Sequence, residues 1–382
     1  MSSPHSSGLS VRAVTPAEHL AFIASQSSAS FLQTPAWAQV KSEWRSECIG
    51  WERDGRQVGG ALVLYRQVPK LKRYLAYLPE GPVIDWASDD LDAWLAPMVA
   101  HLRGQGAFGV RMGPPVVTRR WTSAQIKAGI ADPDVHRLGD LVPAERTQQG
   151  AQVLAQLHEL GWRPQAVAGG FAAGQPQHNF VIPLVEADGT PRTPDDVLRG
   201  MNQLWRRNIK KADKSGVTVR RGTPEDLPAF HALYVHTAER DHFTPRPLGY
   251  FTTMFAALGA EDDDRIQLWL AEHEGDLVAA TIAVRVGTHS WYSYGASSTH
   301  KREVRGSNAV QWAMIQHALA AGAHVYDLRG ITETLDADDP HVGLIQFKVG
   351  TGGEALEYVG EWDLPLNRLL YAGFTQYMKR RG

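Results

Sequence analysis

The sequence predicts an α/β protein with two domains in tandem, and three observations support this fold class. The chain has 382 residues, more than one domain usually contains. Hydrophobic residues make up 43% of it, enough for two apolar cores. The order of helices and strands predicted for the first half also recurs in the second half. The Pro- and Asp-rich stretch Thr190–Asp196 marks the boundary. We therefore expect a first domain of residues 1–189 and a second of residues 190–359.

In the first half, alternation of apolar and polar residues predicts strands, and a 3.6-residue spacing of apolar residues predicts helices. Asp54-Gly55 is the expected turn of the first hairpin. The predicted elements are strands Cys48–Glu52, Val58–Tyr65 and Tyr74–Leu78, a helix Asp90–His101, a strand Phe108–Arg111, a helix Gln152–Leu160 and a closing strand Asn179–Leu184. The stretch Trp121–Arg146 matches no template, and a mobile loop near an acceptor site and a plain surface insertion both stay open.

The second half repeats this plan without obvious sequence identity to the first. Its hairpin is expected to turn at Glu274-Gly275-Asp276. The predicted elements are a helix Leu227–Glu239, strands Ile266–Glu272, Leu277–Val286 and Trp291–Tyr294, a helix Asn308–Ala321, a strand His324–Leu328 and a final helix Leu366–Arg380.

Composition limits the classes of function. A net charge of −2 and a pI of about 6.7 exclude a globally basic nucleic-acid binder, so any RNA contact must be a local patch. The single cysteine, Cys48, excludes intrachain disulfides and fits a reducing compartment. The Ser-rich start is unlike a signal peptide, and no apolar run reaches the ~18–20 residues of a spanning helix. We therefore expect a cytoplasmic protein. The fifteen histidines show no metal-ligand spacing, so neither a metal nor a cofactor is expected.

The stretch from Trp291 to Gly353 is the most informative part of the chain. A strand that stops at small residues before a helix leaves backbone N–H groups free to hold an anion. After the second strand, Lys348 lies between an apolar run and a glycine-rich loop, where it could offer a cation to a reaction centre. This order of elements is typical of acyl-transfer folds.

Five blocks of sequence, in order, carry a resemblance to a known family. They are Ser30–Lys41, Tyr77–Val83, Arg207–Val217, Trp291–Gly353 and Tyr358–Asn367. In these blocks the chain resembles the FemABX family, the tRNA-dependent aminoacyltransferases that build peptidoglycan cross-bridges. The resemblance implies two GNAT-like (acyl-CoA N-acyltransferase-like) domains, with residues 360–382 completing the first. It also implies transfer of an amino acid from aminoacyl-tRNA to UDP-MurNAc-pentapeptide or lipid II. Glycine, alanine and serine all remain open as the transferred group.

The resemblance also assigns residues to the precursor. Lys41 follows Trp37 by four residues, so both are expected on one helical face, and relatives use the lysine of this block on the precursor. Relatives place an arginine and a tyrosine on the precursor phosphates where this chain has Arg246 and Tyr250, and Arg240 competes for that task.

Two tyrosines of the predicted strand Trp291–Tyr294 are further candidates for the precursor site. Tyr292 and Tyr294 are expected on one face, because side chains alternate along a strand. Tyr294, next to Gly295, is the better candidate to line a cleft, whereas Tyr292 could belong to the core.

For the chemistry, the family's Phe-Lys pair falls on Phe347 and Lys348. Lys348 would stabilise the tetrahedral oxyanion, and Phe347 would form an apolar wall beside it or belong to the core. The base is open: Asp327 is one candidate, and deprotonation by the substrate is another. Many relatives have an acidic residue where this chain has Gly113, which puts that carboxylate's role in doubt, and Asp85 cannot be assigned the task.

A stripe of basic residues at helical spacing is the candidate contact for tRNA. It comprises Arg206, Arg207, Lys210, Lys211 and Lys214. Charge pattern alone is equally compatible with a solvated helix face, and the resemblance favours the tRNA contact. Arg220 and Arg221 follow in the next strand. Trp205, beside the stripe, is interpreted as an anchor to the core rather than a base-stacking residue.

Three alternatives remain at this point. The chain could be a FemABX-like enzyme with an acceptor outside the cell wall, an acetyl-CoA-dependent N-acetyltransferase, or a non-catalytic RNA-binding or scaffold protein. The loop Glu303–Asn308 departs from the usual pyrophosphate loop of CoA-binding acetyltransferases. We expect a monomer that lacks the coiled-coil arm of some relatives and needs at most transient membrane contact.

Overall fold

The computed structural model of the chain describes residues 8–165, 174–339 and 342–379. Residues 1–7, part of the Ser-rich start, and Arg380, the predicted end of the last helix, lie outside the described residues. Two compact units make up the chain. Unit 1 is Met1–Arg119, Glu145–Gln177 and Glu357–Gly382, and unit 2 is Arg120–Ala144 and His178–Leu356. Among the described helices, none has the length and apolar character needed to cross a bilayer.

The elements up to residue 165 begin with an N-terminal strand and end with two short strands around a helix. The strands are β1 Ser10–Val14, β2 Arg45–Arg53, β3 Arg56–Gln67, β4 Tyr74–Leu78, β5 Ala107–Met112, β6 Val117–Thr122, β7 Glu145–Arg146 and β8 Arg163–Pro164. The helices are α1 Pro16–Ala24, α2 Ala36–Val40, α3 Asp92–Gly104, α4 Ser123–Ala131 and α5 Gln148–Glu159.

The elements from residue 174 onward include most of the second sheet. The strands are β9 His178–Pro183, β10 Thr218–Gly222, β11 Ile266–His273, β12 Asp276–Val286, β13 His289–Ser297, β14 Val325–Gly330, β15 Glu354–Tyr358 and β16 Trp362–Pro365. The helices are α6 Pro194–Gly200, α7 Gln203–Lys214, α8 Leu227–Asp241, α9 Leu248–Gly259, α10 Gly306–Ala320, α11 Val342–Val349 and α12 Arg368–Lys379.

The sheet of unit 1 has the strand order β1-β2-β3-β4-β5-β16-β8. Its neighbours are antiparallel except β4 and β5, which are parallel and are joined by helix α3. Trp94 of α3 is buried, and its carbonyl accepts a hydrogen bond of 2.7 Å from Nε1 of Trp51 in β2. The final helix, α12, packs on β5 through Phe374, whose ring lies 5.3 Å from that of Phe108. Unit 1 thus includes the C-terminal helix.

The nine-stranded sheet has the order β10-β11-β12-β13-β14-β9-β15-β6-β7, and its strands β13 and β14 are parallel. These two strands pair only from His289↔Val325 to Trp291↔Asp327, although β13 continues to Ser297. Beyond these pairs the two parallel strands part. The edges of β13 and β14 that face each other are therefore unpaired beyond Trp291 and Asp327, and the candidate residues of unit 2 lie at these strand ends.

The compact units are not the contiguous segments 1–189 and 190–359 of the sequence analysis. The predicted closing strand of the first half corresponds to β9, and β9 pairs with β14 of unit 2, with Val325 opposite Pro183. The position expected for the boundary, residue 190, therefore lies inside unit 2. Alternating apolar residues predict a strand, but they do not say which sheet it joins.

The stretch that matched no template contains helix α4 in unit 2. Thr122 caps this helix: its Oγ1 accepts from the backbone N–H of Gln125, and the Gln125 side chain accepts from the backbone N–H of Thr122. Ile126 is fully buried in the core of unit 2. The stretch is therefore a packed part of unit 2 rather than a plain surface insertion.

Candidate active site

Lys348 lies in the last turn of helix α11, and it is buried, with 4% of its surface exposed. Lys348 was expected between an apolar run and a glycine-rich loop, and the structure shows that this run is a helix that includes Lys348. Its Nζ donates hydrogen bonds to the carbonyl oxygens of Gly330 at 2.6 Å and Arg329 at 3.2 Å, at the end of β14. Burial lowers the pKa of Lys348 to about 7, and the nearby Asp327 charge opposes this shift.

Asp327 is buried in β14 and orders the turn that carries these two carbonyls. Its Oδ1 accepts a hydrogen bond of 2.5 Å from the backbone N–H of Arg329, which has a positive φ of 63°. Its Oδ2 lies 3.3 Å from His289 Nε2 and accepts from Asn179 at 3.3 Å. Although burial alone would raise the pKa of Asp327, the contact with His289 lowers it. The carboxylate is thus engaged in holding the turn.

Phe347 connects α11 to helix α7. Its carbonyl accepts a hydrogen bond of 2.8 Å from Trp205 Nε1, and the two rings lie 4.8 Å apart. Trp205 is 3% exposed, so the interpretation as a core anchor agrees with the structure. A Cβ on Gly350 would lie only 2.3 Å from the Trp205 ring, so no side chain fits at that position. The Trp205–Phe347 contact therefore fixes helix α7 to helix α11, which carries Lys348.

A cluster of aromatic side chains lies at the end of β13. The hydroxyls of Tyr250 and Tyr294 are 3.0 Å apart, and Tyr294 packs edge-on against Phe251 at 5.1 Å. The guanidinium of Arg246 lies over the Tyr250 ring at 5.4 Å, a cation–π contact. Burial raises the pKa of Tyr250, so its hydroxyl stays a hydrogen-bond donor. The competitor Arg240 is engaged with Asp241 at 2.7 Å, whereas Arg246 is exposed.

Tyr292 and Tyr294 do not share one face of β13. A bulge pairs Tyr292 with Ala283 and Tyr294 with Ile282, which are adjacent residues of β12 and point to opposite faces. Tyr292 packs against the core of unit 2. Its hydroxyl oxygen lies only 1.9 Å from the position that a Cβ on Gly295 would take. The expectation of a common face was therefore wrong. Of the two, Tyr294 joins the aromatic cluster with Tyr250.

The basic stripe forms helix α7 as expected, but its members are not equivalent. Four of them are exposed on one face: Arg207, Lys210, Lys211 and Lys214. Arg206 is half-buried and donates to the carbonyl of Met201 at 2.5 Å. In the following strand, Arg220 is bound by Asp226 and Glu272, and Arg221 by Asp264. The surface available to a polyanion is therefore the four-residue face, which we call the α7 face.

In unit 1, Lys41 and Trp37 are close together as expected. Lys41 Nζ lies 5.9 Å from the Trp37 ring centroid, although helix α2 ends at Val40. Trp37 is 6% exposed and packs edge-on against Phe31 at 5.3 Å. Trp37 thus provides a buried aromatic surface, and the half-buried Lys41 beside it carries the positive charge.

A carboxylate that the sequence analysis did not single out lies beside Gly113. A Cβ on Gly113 would be 3.4 Å from Cγ and 3.8 Å from Oε1 of Glu361. Glu361 Oε1 accepts a hydrogen bond of 2.6 Å from the Tyr77 hydroxyl, and burial raises the pKa of this carboxyl. The neighbouring Arg111 is bound to Asp363 at 2.7 Å. Glu361, the residue before β16, thus places a carboxylate beside Gly113.

Known proteins resemble this chain in both sequence and structure. A profile of the FemAB family matches residues 14–274 and 264–380. The protein named lipid II:glycine glycyltransferase of Staphylococcus aureus (strain USA300) is 26% identical, over 96% of this chain and 95% of that protein. A crystal structure of FemX superposes with a TM-score of 0.79 at 24% identity, covering 95% of this chain and 98% of that chain. The structure of L-PGS from Bacillus licheniformis superposes with a TM-score of 0.50 at 10% identity, covering 92% of this chain and 92% of that chain.

The superposition with FemX and the two sheets confirm the predicted fold class, α/β with two GNAT-like domains in tandem. The residues that the family profile matches include all five blocks of resemblance. The resemblance is therefore confirmed, and the chain belongs to the FemAB family.

Proposed function

We propose that this chain is an aminoacyltransferase that builds the interpeptide bridge of peptidoglycan. It moves glycine, alanine or serine from aminoacyl-tRNA to the stem-peptide amine of UDP-MurNAc-pentapeptide or lipid II, as a cytoplasmic monomer without a cofactor. Membership of the FemAB family and the likeness to a lipid II:glycine glycyltransferase support the transferase class and the precursor. The observation that carries the proposal is the buried amine of Lys348 at the end of β14.

Lys348 has the geometry of an oxyanion-binding cation. A protonated lysine has three N–H donors, and the carbonyls of Gly330 and Arg329 accept two of them. The third is left for the oxygen that becomes negative when the amine attacks the ester carbonyl. A donor of this kind contributes about 3–4 kcal/mol to the transition state. Phe347 holds the lysine's helix to Trp205, so in this proposal its role is to position Lys348.

Glu361 is the candidate proton acceptor. The acceptor amine must lose a proton before it attacks, and a carboxylate whose pKa lies above its ordinary value accepts that proton more readily. In the full reaction the amine forms a C–N bond with the ester carbonyl. The ester C–O bond then breaks, and the ribose hydroxyl leaves with a proton. The Tyr77 hydroxyl and the backbone N–H of Gln175 both donate to the Glu361 carboxylate and fix its position.

The precursor and the tRNA would be bound by the remaining candidates. In unit 2, Arg246 and the hydroxyls of Tyr250 and Tyr294 offer a cation and two hydrogen-bond groups to phosphates. In unit 1, Lys41 offers a cation to the precursor. Tyr292 would support this site from the core. The α7 face would bind the tRNA backbone, and Arg206 would hold the start of its helix through the Met201 carbonyl.

The test is transfer of radiolabelled amino acid from a charged total-tRNA pool to UDP-MurNAc-pentapeptide and to lipid II. We expect label on at least one acceptor. We also expect transfer to be lost in Lys348→Met and kept in Lys127→Met, a matched change at an exposed lysine. No transfer to either acceptor by folded protein would refute the proposal. Transfer of acetyl from acetyl-CoA, or of an amino acid to a different amine, would identify one of the two enzymatic alternatives.

A further inference from the structure

The turn between β3 and β4 in unit 1 presents three cations and a leucine to solvent. Lys70, Leu71, Lys72 and Arg73 are all exposed, and Leu71 is 47% exposed. The turn is closed by hydrogen bonds from Val68 N–H to the Arg73 carbonyl at 2.9 Å and from Leu71 N–H to the Val68 carbonyl at 3.1 Å. These side chains are therefore displayed on a tight, ordered turn.

Helix α12 lies next to this turn. Apolar residues of the turn and of α12 pack together around a small buried cluster: Val68, Leu370, Tyr371 and Met378 around Leu75, Phe108 and Phe374. With one face of α12 used in this way, Leu369 points away from the cluster and is 87% exposed. Arg368 beside it is exposed as well. We call the exposed residues of both segments the turn surface: Lys70, Leu71, Lys72, Arg73, Arg368 and Leu369.

The turn surface belongs to two stretches that contain no acidic residue. Residues 55–79 and 364–382 include no Asp or Glu, although the chain as a whole has a net charge of −2. Arg73 donates to the Lys72 carbonyl at 3.3 Å, an exposed backbone contact that leaves its charge uncompensated. A concentrated positive patch on a nearly neutral protein attracts anionic partners.

We propose that the turn surface docks the protein on an anionic lipid bilayer. The four cations would lie at the headgroups, and Leu71 and Leu369 would enter the interface between headgroups and acyl chains. The exposed leucines favour a bilayer over a nucleic acid, because an RNA backbone offers no hydrocarbon to cover them. The docking rests on the proposed function in one respect: it brings the enzyme to a lipid-linked acceptor.

The size of the effect follows from the charges. Each basic residue near an anionic leaflet contributes roughly a fivefold gain in binding. Reversing the three cations of the turn should therefore weaken binding by about 100-fold or more. Added salt should weaken the binding of the unmodified protein as well, because the headgroup attraction is screened.

The experiment is co-sedimentation of the full chain with phosphatidylcholine vesicles that do or do not contain phosphatidylglycerol. The test variant combines Lys70→Glu, Lys72→Glu and Arg73→Glu. The matched control makes the same charge change at three exposed residues elsewhere: Arg56→Glu, Arg103→Glu and Lys127→Glu. A third variant, Leu71→Ser with Leu369→Ser, removes the apolar contacts.

We expect the unmodified protein and the control to bind the anionic vesicles, and the test variant to lose that binding. The leucine variant should bind more weakly and lose its remaining binding at lower salt. Equal binding of test and control variants, or equal binding to vesicles with and without phosphatidylglycerol, would overturn the proposal. So would loss of charged-tRNA binding in the test variant with vesicle binding intact, because the surface would then contact RNA.

Activity separates this proposal from the proposed function. The test variant should lose transfer to lipid II in vesicles and keep transfer to the water-soluble UDP-MurNAc-pentapeptide. Equal transfer to both acceptors by the test variant would refute the docking role. Inactivity of the unmodified protein on both acceptors, with vesicle binding intact, would refute the proposed function and leave docking established.

Discussion

Lys348→Arg should extend transfer activity to higher pH than the unmodified enzyme allows. Burial lowers the pKa of Lys348 to about 7, and the oxyanion role requires the protonated amine. Above that pH the fraction of charged Lys348 falls tenfold for each pH unit. A guanidinium stays charged throughout this range, so an arginine that retains some activity keeps its cation.

The magnitude can be worked out from this pKa. At pH 7 about half of Lys348 is protonated, and at pH 9 only about 1% is. The transfer rate of Lys348→Arg divided by that of the unmodified enzyme should therefore rise about 50-fold between these two pH values. The absolute rate of the variant will be lower at pH 7, since the larger guanidinium does not reproduce the bonds to Gly330 and Arg329.

The assay is single-turnover transfer of labelled amino acid from charged tRNA, measured across this pH range. Hydrolysis of the ester is subtracted from enzyme-free reactions at each pH. Lys127→Arg, at an exposed lysine, serves as the control and should follow the unmodified profile. A rate ratio that does not change with pH, or an alkaline limit near pH 7 that persists in Lys348→Arg, would contradict the assignment of the charged amine to the oxyanion.

Three more changes test other parts of the site. Glu361→Gln should lower the rate constant for transfer by about 100-fold or more. Adding Gly113→Asp to this variant should recover part of the lost rate. No recovery in a folded double variant would argue against a carboxylate role at this place. The double variant Lys210→Glu, Lys211→Glu should weaken binding of charged tRNA. The slope of log binding constant against log salt concentration should become less steep by about 0.7–0.9 for each phosphate that the helix no longer neutralises. An unchanged slope would show that the α7 face is a solvated surface. Asp327→Asn should lower the free energy of unfolding by about 3 kcal/mol in urea titrations, because His289 and the Asn179 amide lose Oδ2 as their charged, buried partner. A decrease below ~1 kcal/mol would contradict the role of Asp327 in holding the turn.

The elements with strong local signals were predictable from the sequence. Asp54-Gly55 and Glu274-Gly275 turn two hairpins, and Gly55 and Gly275 both have positive φ. The helix containing Lys210 follows from its capping residue Asn202 and its basic spacing. The capping box of α4 was also readable, since a threonine is followed three residues later by a glutamine. It was missed because few apolar residues follow it.

The remaining features depend on contacts between distant parts of the chain. The eight residues of α11 mix apolar side chains without a clear period, so their helical state and the burial of Lys348 come from packing. The bulge that separates Tyr292 from Tyr294 is a property of two paired strands. Glu361 meets Gly113 only because β16 pairs with β5, and no local pattern records that pairing.

The Trp205–Phe347 contact has a consequence for how specificity in this enzyme can change. An indole hydrogen bond of 2.8 Å and the packing of two rings tie the helix that presents the α7 face to the residue before Lys348. The absent side chain at Gly350 leaves no slack between them. In the function proposed above, a substitution that shifts α7 to suit a different tRNA would therefore also displace the Lys348 amine. The choice of donor could then change only as far as the position of Lys348 tolerates.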